Sequence, residues 1–276
     1  MNKKLINGII YVVLVGLAVA FLYPLFFILN NSFKGKFFIS SDPFGIPTSE
    51  TFVAFTNYVN GIEKTGMLSA IGYSFFITIV SVVMIILFTS MTAYYITRVK
   101  SKLTSVIYYM FTFSMIVPFQ MVMFTMTSLA DTFHLRNPLG MCLLYLGFGS
   151  GLSVFMFSGF VKSIPLEIEE ASMIDGATPP QIFWHVILPM LKSQAITIGI
   201  LEIMWIWNDY LLPYLTLGSE YKTIPIAIQY LRGGYGAVDW GAMMAMLVLA
   251  MLPVIVFYAI CQKHIIKGVL AGAVKG

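Results

Sequence analysis

Residues 169–191 read EEASMIDGATPPQIFWHVILPML, a dense acidic cluster followed by a glycine and two adjacent prolines, set between long apolar runs. Pro165 in a first helical turn, with Glu167, Glu169 and Glu170 at the positive end of the helix dipole, predicts a short helix. Asp175-Gly176 ends it, because glycine takes the positive φ of a helix terminus. Thr178 then caps a second short helix with Pro179 in its first position, and Leu188-Pro189 closes it. Ile182, Phe183 and Val186 fall on one stripe of that second helix. The segment therefore reads as a helix–turn–helix knob with an apolar stripe and an acidic rim.

The flanking sequence says where the knob stands. With 59% hydrophobic and 10% charged residues, the 276-residue chain holds more apolar side chains than one soluble core can hide. Runs near 8–30, 70–94, 105–127, 139–161, 194–216 and 241–262 are each long enough to cross a bilayer as a helix. The expectation is an all-α polytopic membrane protein with six spans, the first an uncleaved anchor. Lys and Arg resist translocation, so Lys3, Lys4, Arg98, Lys100, Lys102, Lys162, Lys192, Lys263, Lys267 and Lys275 put both termini in the cytoplasm. Residues 31–69 become the first extracytoplasmic loop and 162–192 the one long cytoplasmic loop. Cys142 and Cys261 fall at opposite depths, which argues against a disulfide or a metal site. The net charge of +4 lies at inner loop ends, as topology requires, and outlines no nucleic-acid surface.

An amphipathic connector resting on lipid is the plain alternative for the knob. Four carboxylates beside an anionic leaflet oppose it, and a basic protein groove is the better partner. At this point the residues resemble a known family. Glu170-Ala171, Gly176 and Leu188-Pro189 have the spacing of the EAA loop of binding-protein-dependent ABC importers, with Ser172 in place of the second alanine and Val186 in place of an isoleucine. GFVKSIP before the loop, WNDYLLP in the fifth run and AGAVKG at the C-terminus look like the carbohydrate, maltose-permease-like branch. The resemblance implies a type I importer permease in the cell membrane of a prokaryote. It implies coupling to an ATPase subunit through Glu170, Ala171, Ser172, Asp175, Gly176, Leu188 and Pro189. It also implies a second permease subunit, an ATPase dimer that holds ATP and Mg, an extracytoplasmic sugar-binding protein and a sugar as cargo, with no cofactor on this chain.

Nothing in the sequence fits a phosphate-cradling G-x-x-x-x-G-K-[ST] loop, so the expected role is transport without an ATPase or other catalytic centre of its own. An intramembrane serine protease would need G-x-S-G, but Phe148 stands at the first glycine position before Ser150. Gly147, Gly149, Ser150 and Gly151 read instead as a close-packing helix face. In the fifth run Glu202, Trp205 and Asp209 share one helical face, and ionisable groups in hydrocarbon suggest function. Trp207, Asn208, Asp209 and Glu202, with Gln120 beside Pro118, are the candidate substrate path; the same polar stripe equally suits a bond to a neighbouring helix. The alternative function is a stand-alone carrier using Glu202 or Asp209 as a proton relay. Pro118 and Pro253 are expected to kink their helices. Tyr221, Tyr230, Arg232, Tyr235 and Trp240 around Gly233-Gly234 form a candidate contact surface or interfacial anchor.

Overall fold

The computed structural model describes residues 3–232 and 238–273, and the regular secondary structure among them is helical. Gly233, Gly234, Tyr235 and the end of the AGAVKG tail lie outside the described residues. The chain forms two units, one running through Ser69 and including Ile226–Ile255, the other Ala70–Pro225 with the residues from Val256 onward.

The first unit begins with α1 (Lys3–Ser32), apolar all round as a lipid-crossing helix must be. Its C-terminal side chains fasten the chain that follows α2 (Lys36–Ser41). Asn30 donates to the Gly45 carbonyl (2.8 Å), Asn31 to Pro43 (2.9 Å), and the buried Lys34 ammonium to Asp42 (2.8 Å). In α3 (Thr56–Thr65), Asn57 donates to the carbonyls of Ser32 and Lys34, both at 2.8 Å. The long loop of the sequence is thus an ordered cap, held mainly by side-chain amides on main-chain carbonyls.

Lys64 meets Asp239 at 2.6 Å, just before the last helix. Partial burial pushes the Asp239 carboxyl up, but the Lys64 hydrogen bond, the Ala242 N–H and the charges of Lys64 and Lys36 outweigh it and hold the group below the usual carboxylate range. A depressed folded pKa stabilises above the unfolded value, and that contribution is lost as pH falls through the folded value. With Lys64 half exposed, the pair contributes under about 1 kcal/mol. Asp239→Asn is therefore expected to lower the thermal midpoint slightly near neutral pH, with the difference closing as both proteins are melted at progressively lower pH below the carboxylate range.

The second unit carries α4 from Ala70 onward (Met67–Arg98), α5 (Lys102–Ser114), α6 (Phe119–Thr132), α7 (Pro138–Val161), the connector helices α8 (Leu166–Ile174), α9 (Pro179–Ile182) and α10 (Leu188–Met190), then α11 (Lys192–Asn208) and α12 (Leu211–Leu217). The short α13 (Ile224–Gln229) and the long α14 (Trp240–Ala273) are each divided between the units. Among the described residues four helices are long and apolar enough to cross a membrane, and the number rises to six if each of two bent pairs counts as one span.

Breaks within two of the apolar runs correct the sequence expectation. The third run is broken rather than kinked: α5 and α6 meet at 107° across Met115–Pro118. Pro118 lacks an N–H and disfavours a helical residue before it, and it sits extended as the cap of α6. The fifth run is also not one helix, since α11 stops at Asn208 and α12 starts at Leu211.

The glycine face of α7 is partly as read. A Cβ on Gly151 would lie 2.8 Å from the Phe111 carbonyl, so the α5 backbone rests on α7 there. One on Gly149 would lie 2.7 Å from Ile85 and 3.0 Å from the Glu202 carboxylate. Gly147 has nothing within 4 Å and is exposed, so it is not part of the packing face.

Candidate functional site

The connector 162–192 is built much as its residues dictate. Glu167 and Glu169 occupy the first turn of α8 behind Pro165. The helix ends in a Schellman turn: Ala177 N–H donates to Ser172 and Gly176 N–H to Met173, both at 3.0 Å, with Gly176 at φ 86°. Thr178 is extended at the cap of α9, and Gln181 Oε1 accepts its N–H and its hydroxyl, both at 2.8 Å. Two helices are thereby joined by a turn that leaves few main-chain groups unbonded.

Two features of the second helix differ from expectation. It does not end at Leu188-Pro189; a π-helical turn (Phe183–Ile187) lets Leu188 N–H reach the Phe183 carbonyl and carries the helix through Pro189 to Met190. The 70° bend comes only at Leu191. The apolar stripe also does not face outward. Ile182, Phe183, Ile187 and Leu191 are buried against Ala93, Val154, Phe157, Val161, Ile164 and Ile198, from the ends of α4, α7 and α11. Each buried side chain of this size contributes roughly 1.5–3 kcal/mol, so the knob is seated firmly on the spans.

What remains outside is the turn and its flanks. Ile174 is 87% exposed and Met173 53%, and Glu170, Ala171, Asp175 and Gly176 are exposed beside them. Ser172 is half-buried, its hydroxyl bonded to the Ile168 carbonyl at 2.8 Å. Ser172, Asp175, Gly176, Ala177, Gln181, His185 and Val186 line a shallow recess on this surface. Leu188 packs half-buried on the inner cluster, and Pro189 is exposed.

The acidic cluster is divided in two. Glu170 faces out, while its neighbour Glu169 is buried and accepts from Arg98 Nε at 2.7 Å and from the Tyr94 hydroxyl at 2.9 Å. Arg98 also bonds the Ile164 carbonyl at 3.0 Å. Glu169 is therefore not part of the acidic rim, and Arg98 and Tyr94 join the candidate site. Its helical neighbours Leu166 and Met173 are exposed, so spacing along α8 does not single it out.

The residues of the fifth run separate in the same way. Glu202 is buried, accepting from the Ser153 hydroxyl at 3.1 Å in the room Gly149 leaves. Trp207 is buried edge-on to Phe75, ring centroids 4.9 Å apart. Asp209 does not continue the face of Glu202 and Trp205, because the backbone turns extended there. Its Oδ2 accepts from Tyr145 at 3.0 Å and its Oδ1 from the Leu211 N–H at 3.0 Å, so the carboxylate caps α12. Asn208 and Gln120 are exposed, as is Trp205, whose ring also meets Tyr145 edge-on at 5.3 Å. The Ser150 hydroxyl bonds the Leu146 carbonyl of its own helix.

Residues 85–270 match the family model described as binding-protein-dependent transport system inner membrane component. Among curated proteins the chain is 39% identical over 260 residues to the probable starch degradation products transport system permease protein AmyC of Thermoanaerobacterium thermosulfurigenes, covering 94% of this chain and 93% of that one. It is 33% identical to the multiple sugar-binding transport system permease protein MsmG of Streptococcus mutans, with 96% of each chain covered. It is 30% identical to the melibiose/raffinose/stachyose import permease protein MelC of Bacillus subtilis, covering 94% and 93%. A chain in the crystal structure of a bacterial ABC transporter involved in the import of the acidic polysaccharide alginate shares the fold, with TM-score 0.79 over 95% of this chain and 98% of that one at 21% identity.

Proposed function

The chain belongs to the family of binding-protein-dependent transport system inner membrane components, and we propose that it is the membrane-spanning permease subunit of an importer for a sugar or oligosaccharide. The names of its relatives support the cargo class. The observation that carries the mechanism is the connector: its underside is locked into the ends of three spans while Met173 and Ile174 stand exposed at its tip. A firmly seated tip moves its spans when pushed.

In this reading the tip docks on an ATPase subunit, with Glu170, Ala171, Ser172, Asp175 and Gly176 at or beside the contact and Leu188 and Pro189 setting the second helix. ATP and Mg are held by that ATPase dimer. A second permease subunit and an extracytoplasmic sugar-binding protein complete the assembly, and both termini of this chain lie in the cytoplasm. The orientation is supported by Arg98, Lys100, Lys102, Lys162 and Lys192, which cluster at the ends of spans beside the connector. Along the path, exposed Asn208, Gln120 and Trp205 are the substrate contacts; Trp207, Glu202 and Asp209 shape the wall behind them.

A pull-down of the tagged chain from native membranes in mild detergent tests this. An ATPase subunit is expected with the unsubstituted chain and is expected to be lost with Ile174→Asp, which puts a charge on the tip without touching the buried stripe. Recovery of no ATPase with either protein would overturn the reading and return attention to a proton-driven carrier.

A further inference from the structure

We propose that Arg98, Glu169 and Tyr94 form the joint through which the connector moves α4, an inference that rests on the connector being the ATPase-docking element. By chain connection alone the connector is tied to α7 through 162–165 and to α11 through Leu191. It has no covalent tie to α4, and the apolar seat touches that helix at Ala93. Arg98, the last residue of α4, adds a polar link: Nη2 and Nε reach Glu169 Oε1 at 2.6 and 2.7 Å, and Nη2 holds the Ile164 carbonyl at 3.0 Å. One guanidinium therefore grips α8 and the linker behind α7 together, and Tyr94, a turn earlier on α4, takes the other carboxylate oxygen.

The joint is nearly dry, with Arg98 and Glu169 side chains 15% and 5% exposed. A planar, charge-assisted contact in such a place resists both sliding and rotation, which apolar packing alone does not. The Tyr94 ring also meets Phe183, centroids 5.6 Å apart, so Tyr94 touches α8 with its hydroxyl and the second connector helix with its ring. Motion of the tip consequently carries α4 as part of the same body. Glu169 is a positioning residue, distinct in role from the exposed Glu170.

The test uses the whole importer, purified with its ATPase and reconstituted in nanodiscs, with Cys142→Ala and Cys261→Ala and spin labels at the exposed positions 95 on α4 and 174 on the tip. The distance is measured without nucleotide and with ATP plus vanadate. In the parent complex it is expected to be unchanged while ATP closes the ATPase. In Glu169→Gln it is expected to shift or broaden with ATP by about 2 Å or more, the scale of helix shifts in switching proteins. Glu169→Asp and the exchanged pair Arg98→Glu with Glu169→Arg are expected to restore the single distance. Should Glu169→Gln fail to assemble, Tyr94→Phe removes one bond and is expected to broaden the distribution in the same direction by less. A nucleotide-independent distance in both Glu169→Gln and Tyr94→Phe, or one that changes in the parent, overturns the joint. Absence of an ATPase from the parent preparation overturns the underlying reading instead.

Discussion

Gly151→Leu is expected to abolish accumulation of folded protein in the membrane, whereas Gly147→Leu, one turn away on the same helix, leaves it near the parent level. Both substitutions exchange a poor helix former for a good one, a gain of up to about 1 kcal/mol, so propensity does not separate them. Packing does. A Cβ at position 151 would stand 2.6 Å from Ser114 Oγ, 2.8 Å from the Phe111 carbonyl and 2.9 Å from Met115 Cγ. The carbonyl belongs to the α5 backbone and cannot swing aside, so α5 must lift off α7. Overpacking of a close seat typically costs about 1–3 kcal/mol, and a full isobutyl group in a seat that rejects even a methyl exceeds that range. At position 147 nothing lies within 4 Å. Fluorescence-detected size exclusion of the two variants measures the difference; equal monodisperse peaks would show that α5 and α7 are not held in this contact.

The contrast between Gly147 and Gly151 also shows how far the residues alone reach. A row of small residues announces close packing, but which of them meets a backbone depends on where α5 is bent, and that bend was read only as a kink at Pro118. Local chemistry was legible: Gly176 takes its positive φ and Thr178 its extended cap, while Pro165 stands extended just outside the first turn it was expected to occupy. These depend on neighbours within four residues. The direction of Ile182 and Phe183 was not legible, because an apolar stripe fits a partner's groove as well as the chain's own spans. Glu169 and Glu170 are adjacent and identical in chemistry, and only the distant Arg98 tells them apart. The π turn that carries a helix through Pro189 has no local signal strong enough to override a proline.

Asp209→Ala is expected to lower sugar uptake more than tenfold, and Asp209→Asn to leave it within a few-fold of the parent. The carboxylate has two tasks in the structure. Its Oδ1 accepts from the N–H of Leu211 at 3.0 Å and Oδ2 from Tyr145 at 3.0 Å, on a ring that is wholly buried. Alanine removes both acceptors. Loss of a capping acceptor costs about 1 kcal/mol and an unpaired buried hydroxyl about 1–3 kcal/mol, so the break between α11 and α12 loses roughly 2–4 kcal/mol of definition. At 1.4 kcal/mol per decade, that is a shift of about thirtyfold or more in the population holding Asn208 and Trp205 in place. Asparagine keeps an oxygen for the Leu211 N–H and offers an amide N–H to the Tyr145 oxygen, so the geometry survives without the charge. Uptake of a labelled oligosaccharide into vesicles, normalised to assembled importer, separates the cases. If Asp209→Asn fails as completely as Asp209→Ala, the negative charge itself is in use, by the cargo or by a proton, and Asp209 belongs on the path rather than in its wall.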